Sequence, residues 1–219
     1  MNDVVIYQHL GLGDHIICNA LVRHYANVYE KIFLICKKHN YESVKFMYRD
    51  KLNIEIVFDM LNKNTIHIGF TNEYWNKKES RRFDEQFYYT HNIEFNKRWD
   101  NFFVKRDLKR EIDLYNKMML NNKNYIFIHD DCSRDMKIDE SLIDKNNCDI
   151  FKPDFSISNN IFDYLHIIEK AKEVHVIDSS FMFMIDSYDQ INNNLFVHRY
   201  ARKLDNFNLP TLKKEWKIL

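Results

Sequence analysis

Gly11-Leu12-Gly13-Asp14 is the stretch of this 219-residue chain best suited to chemistry. The sequence holds only three glycines, and two of them stand here. So sparing a use points to positions where a side chain would block a turn or a ligand, and Gly11 and Gly13 are expected to set backbone shape. Asp14 ends the turn, where a fixed carboxylate can take a proton from a hydroxyl. A second set lies in His129-Asp130-Asp131-Cys132-Ser133-Arg134-Asp135-Met136-Lys137. There Ser133, Arg134 and Lys137 offer a hydroxyl and two cationic donors, the groups that hold a diphosphate. The third set is Asp178-Ser179-Ser180, small polar residues leading into Phe181-Met182. If a helix starts there, its free N–H groups and the positive end of its dipole suit the same anion. Each set has a plainer reading. Asp178 or Ser179 can be a simple N-cap, Arg134 and Lys137 can be solvated surface cations, and His9 and His15, rival bases beside the first turn, can be structural. The glycine turn is not a Walker loop, since no Gly-Lys-Ser/Thr follows, and it is not a full GxGxxG fingerprint.

The surrounding pattern supplies the elements that would hold these groups. Val4-Val5-Ile6-Tyr7 is a short apolar, β-branched run suited to a buried parallel strand. After the turn, Ile17, Ala20, Leu21, His24 and Tyr25 recur at helical spacing, which predicts one helix from His15 to Ala26. Lys31–Cys36 is a second strand, so strand, helix and strand form a right-handed unit with parallel neighbours. A helix at Tyr41–Tyr48 and strands at Asn53–Val57 and Thr65–Gly69 continue the alternation. From Phe70 to about Phe103 the pattern turns aromatic, with Trp75, Phe83, Phe87, Tyr88, Tyr89, Phe95, Trp99, Phe102 and Phe103. These serve either as core and interdomain packing or as a wall on which sugar rings stack.

Arg106–Leu120 reads as an amphipathic helix with Leu108, Ile112, Tyr115 and Met119 on its apolar face, and the polar turn 121–124 follows it. The strand–helix rhythm then restarts: strands at Tyr125–His129, Cys148–Phe151, Val174–Ile177 and Leu195–Val197, helices over 160–172 and from Ser180, and a Trp-bearing tail from Leu209. The expected architecture is α/β, two Rossmann-like domains facing across a cleft, at 1–105 and 106–219, with Asp14 at the cleft mouth. All three polar sets then fall at carboxyl ends of strands, where ligands bind in such sheets.

Composition removes several classes of function. Hydrophobic residues at 45% and charged residues at 29% fit a soluble globular protein. A net charge of zero lacks the broad attraction nucleic-acid binders rely on, and the basic run 77–82 reads as a solvated loop. Cys18, Cys36, Cys132 and Cys148 show no metal-ligand spacing, and with no secretory leader they read as reduced thiols of a cytoplasmic protein. No run approaches the roughly 18 apolar residues of a membrane span.

The strand–Gly-Leu-Gly-Asp–helix opening, continued by Asn19-Ala20-Leu21-Val22-Arg23, resembles the ADP-heptose:lipopolysaccharide heptosyltransferase family and related GT-B glycosyltransferases. Cys132-Ser133-Arg134-Asp135-Met136-Lys137 is similar to that family's donor-phosphate loop, and the segment from Ile161 to Ser180 is similar to its helix, Ala-Lys pair, apolar strand and Asp-Ser/Thr-Gly. The resemblance implies a minimal GT-B fold with the acceptor on the first domain and a nucleotide-diphosphate sugar on the second. It implies Asp14 as general base, Ser133 and Lys137 on the donor diphosphate, and Asp178, Ser179 and Ser180 at the donor. The implied reaction is sugar transfer to an acceptor hydroxyl of a glycan or other molecule, inverting, with no metal and no cofactor beyond the donor substrate. The chain departs from the family in its shortness, in Ser180 for a glycine and in Phe183 for a histidine, which implies a diverged relative with its own substrates. A homo-oligomer would compensate for the small size. Competing readings are a fucosyltransferase-like GT-B enzyme in which His129 binds the donor, and a non-catalytic nucleotide- or sugar-binding module. A dinucleotide-binding dehydrogenase is disfavoured by the incomplete glycine fingerprint.

Overall fold

Apolar β-branched runs build two parallel sheets. A computed structural model describes residues 2–69, 81–121, 123–131, 134–202 and 209–219. They divide into two units, Met1–Lys105 with Asn208–Thr211, and Arg106–Phe207 with Leu212–Leu219.

In the first unit β1 (Asp3–Tyr7), β2 (Lys31–Ile35), β3 (Ile54–Val57) and β4 (Thr65–His67) form a parallel sheet in the order β3-β2-β1-β4. Val4, Val5 and Ile6 are buried, as a central parallel strand covered on both faces requires. The helix expected over 15–26 arrives as two, α1 (Leu12–Ile17) and α2 (Asn19–Tyr25), because Cys18 departs from helical geometry at φ −84°, ψ 4°. Helix α3 (Tyr41–Tyr48) joins β2 to β3, and α4 (Phe83–Tyr89) and α5 (Lys97–Asp100) carry the aromatic segment. Phe87 and Tyr88 are core residues, with the Tyr88 hydroxyl donating to the Ile17 carbonyl at 2.7 Å, whereas Tyr89 and Phe103 are exposed. Trp75 and most of the basic run lie outside the described residues. Thr211 joins this unit because its N–H donates to Asp84 Oδ2 at 3.0 Å and its carbonyl accepts from Arg98 at 3.0 Å, while Asp84 and Arg98 form a buried ion pair.

The second unit holds β5 (Tyr125–His129), β6 (Asp149–Phe151), β7 (Glu173–Val176), β8 (Asn194–Val197) and β9 (Lys217–Ile218), all parallel, in the order β6-β5-β7-β8-β9. Its helices are α6 (Leu108–Lys117), α7 (Leu165–Lys170) and α8 (Ser180–Ser187). The helix expected over 160–172 is a 3-10 turn at Ile161–Tyr164, capped by Asn160, followed by the shorter α7. The tail contributes the short strand β9, held by Trp216 Nε1 donating to Asp186 Oδ1 at 3.1 Å. Helix α6 corrects the sequence expectation more sharply. Leu108, Ile112 and Met119 face solvent, and the buried side is Glu111 and Leu114. Arg106 explains this: its guanidinium pairs with Glu111 and with Glu169 of α7, so a charge network docks the helix.

Each sheet has one place where the strand order reverses. In the first it is between β1 and β4, in the second between β5 and β7. The crevice outside the carboxyl ends of such strand pairs is where open α/β sheets bind ligands.

Candidate active site

At the β1/β4 reversal the loop after β1 carries His9 and Gly11, and α1 follows with Asp14 in its first turn. Neither glycine there has a positive φ; the left-handed residue is Leu10, at φ 62°, whose carbonyl accepts from Asn40 Nδ2 at 3.0 Å. The expectation that Gly11 and Gly13 set backbone shape is therefore corrected. Gly11 has φ −73° and ψ 145°, open to any residue, but a Cβ on it would stand 2.6 Å from Asp14 Oδ2. Gly11 is glycine to make room for the Asp14 carboxylate. Gly69, just past β4, does the same for the His9 imidazole, which also meets the Phe87 ring at 5.3 Å. Asp14 sits half-buried in the first turn of α1, one turn before Cys18, whose buried thiol its charge helps push up.

His15 fails as a rival base. It is fully buried with Nδ1 against the Gln8 amide, and burial lowers its pKa to about 3, so it is a neutral and very weak base.

At the β5/β7 reversal His129, the last residue of β5, meets the start of α8. Its Nδ1 lies 3.2 Å from Ser179 Oγ, and its ring packs on Phe181 at 4.2 Å. Burial brings its pKa down to about 4, which leaves the imidazole neutral. Ser179 occupies the N-cap position with φ −151° and ψ −176°, yet its side chain makes no capping bond. The plain N-cap reading does not hold for its hydroxyl, which turns to His129. The first amides of α8 thus have no side-chain cap and present the positive helix end. Ser180 is the first residue of α8, and Phe183, where the family has histidine, is buried in the same helix. Asp178 is buried, and burial pushes its carboxyl up while Arg202 and Arg199 pull it back. Arg202 donates to the Asp178 carbonyl and stands 3.5 Å from Oδ1. These two arginines, on the 3-10 turn after β8, were missed by sequence reasoning. Their signal was available: Arg199-Tyr200-Ala201-Arg202 begins one residue after the strand Leu195–Val197.

The loop after β5 is held by contacts of its own. Asp130 anchors it by accepting from the Ile138 N–H at 2.8 Å and from Lys152 at 2.6 Å. Asp131 and Met136 exchange backbone bonds at 2.9 and 3.0 Å around Asp135 at φ 53°. Arg134 and Lys137 extend from this turn with side chains 56% and 68% exposed, beside the Asp131 and Asp135 carboxylates at 3.5 and 3.8 Å. Ser133 lies outside the described residues. The structure therefore gathers His129, Asp178, Ser179 and Ser180 at one point and pairs Arg134 and Lys137 with carboxylates of their own turn. Among the described residues no group of three or more His, Cys, Asp and Glu side chains is gathered as a metal centre would need, and no helix is long and apolar enough to cross a membrane.

No family model matches the sequence. No curated protein matches it either. Solved structures do. The chain is similar to TibC of enterotoxigenic Escherichia coli, described as an iron-containing dodecameric glycosyltransferase, with a TM-score of 0.55 at 10% identity over 89% of this chain. It spans 57% of the TibC chain. It is also similar to E. coli ADP-heptose lipopolysaccharide heptosyltransferase II, with a TM-score of 0.50 at 8% identity, covering 100% of this chain and 90% of that one. The fold is that of GT-B glycosyltransferases. At identities this low the likeness is one of fold: two Rossmann-like parallel units in one short chain.

Proposed function

We propose that this protein is a glycosyltransferase that moves a sugar from a nucleotide-diphosphate sugar to an acceptor hydroxyl. One observation carries most of the reading: Ser179 leaves the α8 amides uncapped and turns to His129 at the β5/β7 reversal, where a donor diphosphate would sit. The α8 amides and the Ser179 and Ser180 hydroxyls receive the diphosphate, and Arg199 and Arg202 add positive charge beside them. Ser133, Arg134 and Lys137 keep the donor contacts the sequence suggests for them. In the first unit Asp14, in the space Gly11 leaves, accepts the proton of the acceptor hydroxyl. The hydroxyl oxygen attacks the anomeric carbon as the bond from that carbon to the diphosphate oxygen breaks. The bonding electrons leave with the diphosphate, and the anomeric centre inverts. Fixed amides and cations aimed at the departing charge supply the stabilisation in this reading, with no metal called upon.

The fucosyltransferase-like alternative is weakened by His129 itself, which is buried, neutral and occupied by Ser179, and so offers no charge to a phosphate. A thermal-shift screen against ADP-, GDP-, UDP- and dTDP-linked sugars tests the proposal. At least one is expected to raise the melting temperature, and transfer from that donor to follow. Binding without transfer or hydrolysis would favour the non-catalytic module, and no shift with any donor would overturn the transferase reading.

A further inference from the structure

The loop after β6 presents a large aromatic ring beside the β5/β7 reversal, and the site described above does not use it. Phe155 lies four residues past β6 and is 43% exposed. Its loop is braced. Asp154 accepts from the Ser156 N–H and hydroxyl at 3.0 and 2.6 Å, and the Tyr164 hydroxyl donates to the Asp154 carbonyl at 2.7 Å. The ring stands 6.2 Å from His129 at the end of β5 and 6.2 Å from Phe181 in the first turn of α8. Its ring neighbours His129, Tyr164 and Phe181 are inclined at 83°, 68° and 53°, so none of them stacks parallel against it. Tyr200, another exposed ring at this rim, is engaged through its hydroxyl by His198 and the Asp139 N–H. A rigid, wet aromatic next to an anion-ready helix start suits a flat, apolar-faced group covalently tied to a phosphate.

We propose that Phe155 is the platform on which the base of the donor nucleotide stacks, and that the ligand class is a purine nucleoside diphosphate. This rests on the donor reading of the second unit. Purine preference follows from the surroundings of the ring. Lys152 is paired with Asp130 and Glu140, Asp154 and Ser156 bind one another, and the Ser158 hydroxyl donates to Asp163. These neighbouring side chains are already engaged, so the base is read through its face and the larger purine face gains more than a pyrimidine. Adenine and guanine are then accepted about equally.

Titration calorimetry of the full chain with ADP, GDP, UDP and inorganic pyrophosphate tests this, using wild type, Phe155→Ala, Phe155→Leu and Phe155→Trp. Wild type is expected to bind ADP and GDP alike and UDP more weakly. Losing the ring is expected to weaken ADP and GDP about tenfold to a hundredfold in both the alanine and the leucine variant, with pyrophosphate unchanged and tryptophan restoring affinity. ADP affinity retained within twofold in Phe155→Ala would overturn the platform while leaving the donor reading intact. Loss of pyrophosphate binding in the same variant would mean that the residue acts through loop structure, which also overturns it. UDP binding as tightly as ADP would overturn the purine preference. Wild type binding neither nucleotide nor pyrophosphate would overturn the donor reading and the platform with it.

Discussion

A single methyl group on Gly11 would crowd the carboxylate proposed as the base. Alanine can adopt the Gly11 backbone conformation, so Gly11→Ala should leave the fold and melting temperature nearly unchanged. The new Cβ, 2.6 Å from Asp14 Oδ2, must displace the carboxylate. A misplacement on that scale costs about a hundredfold in turnover. Steady-state kinetics should show this loss with donor affinity intact, and an unaltered rate would show that the carboxylate position does not matter. Gly11 and Asp14 stand out in the sequence as a glycine turn in a glycine-poor chain, while the role proposed for Asp14 comes from the family resemblance. The reason for the glycine was not legible, because it depends on where a side chain three residues later folds back. His129 and Ser179 were legible as strand-end residues too, but not their bond to each other, which joins positions fifty apart in the chain.

At the scale of elements, α6 shows what periodicity misses. Leu108, Ile112, Tyr115 and Met119 recur at helical spacing, so sequence points that face inward, yet only Tyr115 of the four is partly covered and the buried side chains are Glu111 and Leu114. Counting apolar residues assumes a purely apolar contact, and here much of it is ionic: beside buried Leu114 and the Tyr115 ring on His166, Arg106 reaches both Glu111 and Glu169, the latter 63 residues away. Arg106→Ala leaves Glu111 buried without its cation and should cost about 3–5 kcal/mol. Ile112→Ser, on the exposed face, should stay within about 0.5 kcal/mol of wild type. Chemical denaturation of both variants measures the difference. Equal losses would mean that the apolar face is the one that packs. The strands were read more reliably than the helices, since short β-branched runs bounded by turns leave little choice of register, whereas the helix break at Cys18 carries no local signal.

Across the whole molecule, the alternation of strands and helices made two parallel α/β units legible, and the strand order then fixes where each sheet reverses. The return of Thr211 to the first unit was not legible, because its partners Asp84 and Arg98 lie 127 and 113 positions away. Stability should also carry a whole-molecule signature in acid. Burial holds His15, His129 and His198 neutral in the folded chain, with pKa values lowered to about 3, about 4 and about 4. Unfolded histidines titrate near 6.5, so below that pH the unfolded chain binds more protons. The contribution of these groups is fully present above about pH 6.5 and is lost as the pH falls toward 4. The melting temperature should therefore drop steadily over that window, and His198→Asn should make the slope shallower; a melting temperature constant from pH 7 to 4.5 would contradict the burial assignments.

The most direct test is the transfer rate of Asp14→Asn, measured with whichever nucleotide sugar the wild type binds. Asparagine keeps the shape of the side chain and removes the base. Donor affinity by calorimetry should be unchanged, while transfer falls about a hundredfold to ten-thousandfold, the range a general base contributes. Transfer at the wild-type rate in Asp14→Asn, with the donor still bound, would contradict the assignment of Asp14 as the base.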